Sequence, residues 1–200
     1  MRTRINFAAA VLAVVSALVF GISAQSNSPE NSFEVTLSVI SGSNDSGKAD
    51  LPSALGPISK QLRSSFGLNN LRLADTYVGR VGNGGSIGYK SLANIDSAAQ
   101  SDTPSFLDWQ IAGLRNSAPG AGGGFFIQAF RFGARVPVRV ASGPDPNGKT
   151  TSSVQYESIG LNVDRMTLGE NSPVLIGTIA LPKADGGRVF HVLTVSPAGN

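Results

Sequence analysis

Phe126-Ile127-Gln128-Ala129-Phe130-Arg131-Phe132-Gly133-Ala134-Arg135-Val136-Pro137-Val138-Arg139-Val140 carries the longest strand signal in the chain. Successive side chains of a strand point to opposite faces, so Phe126, Phe130, Phe132, Val136, Val138 and Val140 are expected on one face and Arg131, Arg135 and Arg139 on the other. One side is core and the other is wet or paired. Pro137 falls on the arginine face and predicts an edge position or a bulge there, because it has no N–H to give to a ladder. The arginine row suits an anionic glycan or the carboxylates of a partner. The competing reading is internal pairing: a hairpin folded symmetrically about Pro146 sets Arg135 opposite Glu157 as a cross-strand ion pair.

Outward from this segment, most of the chain reads as strands. Val154 to Val163 is the expected return strand, followed by Val174 to Leu181 and Val189 to Val195. Upstream, Phe106 to Leu114 is a strand with Trp109 on the face of Leu107 and Ile111. Further back, Phe33, Val35, Leu37 and Val39 alternate with polar residues, and Leu71–Val81 and Ile87–Leu92 flank Gly82-Asn83-Gly84-Gly85 as a hairpin. Leu55, Ile58, Leu62 and Phe66 recur at helical spacing. Gly67 is placed to end that helix, and Pro57 to sit in its first turn. The expected fold is α+β and mainly antiparallel, with a sandwich-like C-terminal half at 105–200. One helix packs on an N-terminal strand-helix-strand-strand unit at 33–95, and Asn94 to Pro104 links the two stretches, which can share one core.

The first 24 residues read as a cleaved signal peptide: Arg2 and Arg4, an apolar run from Phe7 to Phe20, then Ile22-Ser23-Ala24. The polar stretch 25–32 follows as a disordered tether. The chain is therefore expected to be exported, to the periplasm, the outer membrane's vicinity or the exterior. Cysteine is absent, so thiolate metal sites and thiol catalysis are excluded, and stability rests on packing and hydrogen bonds. The formal charge of +3 falls away with the leader: without Arg2 and Arg4, 14 basic residues face 13 acidic ones. Charge is sparse and no run of basic residues occurs, so neither a nucleic acid nor an anionic membrane is expected as a partner.

Three glycine-rich segments imitate nucleotide motifs. Gly143-Pro144-Asp145-Pro146-Asn147-Gly148-Lys149-Thr150 meets the phosphate-loop consensus. Pro144 and Pro146 nevertheless lack the N–H groups such a loop aims at phosphate, and the residues that follow are β-prone where a helix should open. It reads as a hairpin loop. Gly42 to Lys48 ends in Ala49 where a hydroxyl should hold magnesium, and Gly82 to Gly88 has the wrong spacing for a dinucleotide fingerprint. No nucleotide and no cofactor is expected. His191 is the single histidine, with no second histidine or cysteine to complete a zinc site or a thiol triad, and reads as structural. Asp102, Asp108, Glu157 and Asp164 are the carboxylates a glycosidase could draw on.

Two segments carry a family resemblance. Phe132-Gly133-Ala134-Arg135-Val136-Pro137-Val138, then Val154-Gln155-Tyr156-Glu157-Ser158-Ile159-Gly160-Leu161-Asn162-Val163, resemble the secretin pattern in which a Gly-x-x-x-Pro strand precedes a tyrosine-bearing strand. Ser172 to Thr178 resembles a later secretin strand, with Thr178 where the family tends to repeat glycine. Secretins are the outer-membrane rings of type II and III secretion and type IV pili. The resemblance implies kinship with an envelope assembly protein and does not imply a pore. The expected function is thus a non-catalytic envelope module that binds protein partners or itself. A glycan-binding module using Trp109, Tyr77, Tyr89 or the arginine row, and a carboxylate-dependent hydrolase, are the alternatives. The residues expected at an interaction surface are Arg131, Arg135, Arg139 and Trp109.

Overall fold

The computed structural model describes residues 31–44, 50–93, 103–117, 124–144, 150–181 and 187–198. The signal peptide, tether residues 25–30, most of the 94–104 linker, Asp102 and the loop residues 145–149 lie outside them. The first strand, β1 (Ser32–Ser43), begins inside the stretch read as a tether. Asn31 and Ser32 accept backbone hydrogen bonds from Asn83 and Ala198, at 3.0 and 2.9 Å, so the chain is already anchored there.

After a short 3-10 turn at Ser53–Leu55 comes the helix α1 (Gly56–Phe66). Pro57 lies in its first turn, and Gly67 closes it at φ 63° with its N–H on the Arg63 carbonyl at 3.0 Å. A left-handed terminal residue suits glycine because there is no Cβ to clash. Seven more strands follow: β2 (Asn70–Gly82), β3 (Gly85–Ala93), β4 (Ser105–Asn116), β5 (Phe125–Pro144), β6 (Thr150–Leu168), β7 (Val174–Ala180) and β8 (Arg188–Pro197).

The strands form two four-stranded antiparallel sheets, one in the order β2-β1-β8-β7 and the other β3-β4-β5-β6. Strands from 33–95 and from 105–200 therefore interleave in both sheets: β1 lies between β2 and β8, and β3 is paired with β4. Leu55 of the 3-10 turn and Ile58 and Leu62 of the helix pack on Ile40, Leu71, Phe190 and Val192, covering one end of a face of the first sheet. The other face of that sheet, with Phe33, Val35, Leu37 and Val39, shares a core with Leu107, Trp109, Ile111, Phe130 and Phe132 of the second. β1 thus contributes to two cores, through Ile40 on the helix side and Phe33, Val35, Leu37 and Val39 on the other. Burying one such side chain is worth roughly 1.5–3 kcal/mol.

The expected β2–β3 hairpin is not a ladder. Asn83 and Gly84 form the turn, but β2 and β3 belong to different sheets. They meet side chain to side chain: a Cβ on Gly79 would stand 2.6 Å from the Tyr89 hydroxyl, which donates to the Val78 carbonyl at 2.9 Å. A turn sequence determines that the chain reverses, while burial of Ile87 and Val81 in the shared core decides which edge each strand joins.

Candidate functional site

The helix covers one end of the outer face of the first sheet and the second sheet packs on its inner face, while the outer face of the second sheet carries no helix among the described residues. The pairing sets its residues in rows: Leu92, Phe106, Arg135 and Ser158; then Lys90, Asp108, Gly133 and Gly160; then Gly88, Gln110, Arg131 and Asn162. Leu92 is 63 % exposed and Phe106 44 %, the largest apolar exposures in these rows. A depression of about 610 Å³ opens among Lys90, Leu92, Phe106, Asp108 and Arg135. Arg135 lies 5.5 Å from the centre of the Tyr156 ring. That ring tilts against Phe106 at 5.6 Å and donates its hydroxyl proton to the Pro104 carbonyl at 3.0 Å. A guanidinium held over an aromatic face is oriented without losing its charge.

A second depression of about 540 Å³ lies farther along the same face, lined by Gly113, Arg115, Phe126, Gln128 and Arg165, with Arg115 4.8 Å from the Phe126 ring centre. Phe126 was expected in the core. Between Ile127 and Phe130 the buried face of β5 changes phase, and the neighbouring strands change with it, through Gly113 at φ 63° in β4 and Arg165 at φ 55° in β6. This line of irregularities turns Ile127 inward and Phe126 outward.

The three arginines of the row are all exposed on this face. The anticipated Arg135–Glu157 pair does not form: Arg135 faces Ser158, and Glu157 faces Val136. The observed pairing differs from the expected one by a single residue, and one residue of slip exchanges the faces of a strand. Pro137 sits just past Arg135, the last β5 residue paired to β4. Its missing N–H therefore leaves no vacant position on the β4 side.

Trp109 is not on the surface. It is 2 % exposed, stacked on Tyr89 at 5.3 Å and edge-on to Tyr77 at 6.1 Å, with its indole N–H unpartnered. The Tyr77 hydroxyl donates to Asp75 Oδ2 at 2.8 Å and lies 2.9 Å from Ser91 Oγ. Burial, with the Asp75 charge adding to it, pushes its pKa up to about 12. These rings close the side of the core and offer no flat platform.

His191 is fully buried, its ring 3.8 Å from that of Phe132. Burial drives its pKa down to about 4; the Gly177 backbone opposes the shift yet completes no hydrogen bond with either ring nitrogen. Its position opposite Gly177, beside the bulge in β7, is structural. Of the carboxylates, Asp108 lines the first depression alone, and none lines the second. Among the described residues no three His, Asp or Glu side chains gather as metal ligands. Phe106, Tyr156, Lys90 and Arg115 were not singled out for this face from sequence. Their alternation was visible, but their assembly depends on which strands pair. Compared with known protein families, curated proteins and solved structures, the chain matches none.

Proposed function

We propose that this chain is a non-catalytic, exported envelope module, related to secretins, that assembles by adding a strand to its own sheet edge. The observation that carries the reading is β6. It is 19 residues long and among the described residues pairs with β5 alone, and Val154–Val163 is largely exposed. A row of backbone donors and acceptors on an open edge is a template for another strand. At its far end Arg165, at φ 55°, interrupts the regular strand conformation, which limits the docking length. In this reading the two sheets are the halves of a β-sandwich, supported by their shared core, and the partner is a second copy of the chain.

Sedimentation velocity over a concentration series, with hydrogen exchange followed at 154–163, tests it. Association that slows exchange in that stretch supports the reading. A chain that stays monomeric, or associates while 154–163 exchanges as before, overturns it. Consecutive variants Ser158→Pro and Ile159→Pro sharpen the result. Adjacent residues direct their N–H groups to opposite edges, so one variant removes an outward donor and the other an inward one. The variant that keeps its far-ultraviolet spectrum is expected to lose association. Export is tested separately, by fractionation and by mass spectrometry of the N-terminus, which is expected to begin at Gln25.

A further inference from the structure

We propose that the outer face of the second sheet binds a carboxylate-bearing polysaccharide laid along its strands. Six cations stand on this face: Lys90, Arg115, Arg131, Arg135, Arg139 and Arg165, all on β3 to β6. Against them stand Asp108 and, next to Arg165, Asp164. The ion pair among the described residues, Arg63–Asp50 at 3.5 Å, lies at α1, away from this face. A chain with nearly balanced charge thus carries its positive excess on one side.

Three features select the class of anion. Five of the six cations are arginines, whose planar fork matches a carboxylate in two hydrogen bonds, and two of these are held over rings. The depressions of about 610 and 540 Å³ fall in the range of small-ligand sites, ~300–1,000 Å³. They lie at the two ends of the stretch of β5 from Phe126 to Arg135, which at ~3.3 Å per residue spans about 30 Å. Between them Gln110 and Asn162 offer donors and acceptors for hydroxyl groups, and the paired glycines Gly133 and Gly160 lower the floor. Exposed Phe106 and Tyr156 beside Arg135 supply ring faces for a sugar. A lipid surface would be met better by protruding apolar groups than by two depressions. A peptide strand would gain its ladder at an edge, not on a face.

The face is independent of the β6 edge, because side chains carry it and not free backbone. Affinity electrophoresis of the full chain through gels containing polygalacturonate tests it, with neutral dextran, duplex DNA and phosphatidylglycerol vesicles as comparisons. Retardation by polygalacturonate is expected, decreasing with salt. Arg131→Gln and Arg135→Gln should each weaken it about fivefold, the effect of losing roughly one charge-assisted contact. Lys60→Gln, on the exposed side of α1, should leave it unchanged. Both arginines are exposed, so these variants keep the fold, and a melting curve checks that they do. Retardation absent, indifferent to the arginine variants, or matched by DNA, vesicles or neutral dextran overturns the proposal. Loss of association in the proline variants with retardation intact would separate this face from the assembly edge.

Discussion

His191 of β8 and Phe132 of β5 meet ring to ring across the two sheets, centroids 3.8 Å apart, with neither imidazole nitrogen hydrogen-bonded. An uncharged imidazole is tolerated there; an imidazolium is not. The folded-state pKa of about 4 lies below the ordinary 6.5, so between those values the unfolded chain binds the extra proton. Stability is complete above about pH 6.5 and falls as pH drops toward about 4, by roughly 3 kcal/mol in all. Urea unfolding of the wild type and of His191→Leu at both ends of this window should show the difference between them shrinking or reversing in acid. Parallel acid dependences in the two proteins would refute it.

The glycines facing each other on β5 and β6 should respond unequally to a methyl group. A Cβ on Gly160 would stand 2.9 Å from the Phe132 carbonyl oxygen, which is backbone in an interior strand, whereas one on Gly133 would meet the Asp108 carboxylate at 2.8 Å. A carboxylate at the end of a side chain can turn away; a carbonyl in a ladder cannot. Gly160→Ala is therefore expected to cost roughly 1–3 kcal/mol and Gly133→Ala no more than about 0.5. Denaturation midpoints check the order.

Tyr77 should titrate late. Burial and the neighbouring Asp75 raise its pKa to about 12, so ultraviolet difference spectroscopy on the folded protein should show a phenol ionising near that pH that Tyr77→Phe removes. Because the folded state holds this proton longer than the unfolded one, stability is expected to decline as pH rises past about 10 toward 12. Replacement by Phe leaves Asp75 and Ser91 without their shared partner, at a cost of about 1 kcal/mol near neutrality.

Trp109 reports on the core and not on ligands. Its emission should be blue-shifted and resist acrylamide, and sugars bound on the outer face should leave it unmoved. Trp109→Ala should cost roughly 3–5 kcal/mol. A solvent-exposed spectrum would contradict the packing on Tyr89 and Tyr77.

Much of the local structure was legible in the sequence, because it repeats a short period. The helix was marked by Leu55, Ile58 and Leu62 at helical spacing and by Gly67, and it ends there. The face of Leu107, Trp109 and Ile111 was marked by alternation, and all three are buried. Phe126 lies on the outer face because the alternation of β4, β5 and β6 resets together beside Gly113 and Arg165, with no change of register that the periodicity of one strand could show. Arg135 faces Ser158 and not Glu157, because alternation along one strand leaves the register with its partner open.

The linear chain by itself determined where strands and the helix form, since those depend on neighbours a few residues apart. Partnership was decided only in three dimensions. That β2 and β3 part into different sheets, that β1 contributes to two cores, and that scattered basic residues from four strands gather on one sheet face all depend on contacts between distant segments. Their free energy depends on which apolar faces can be buried together, a property of no single stretch of sequence.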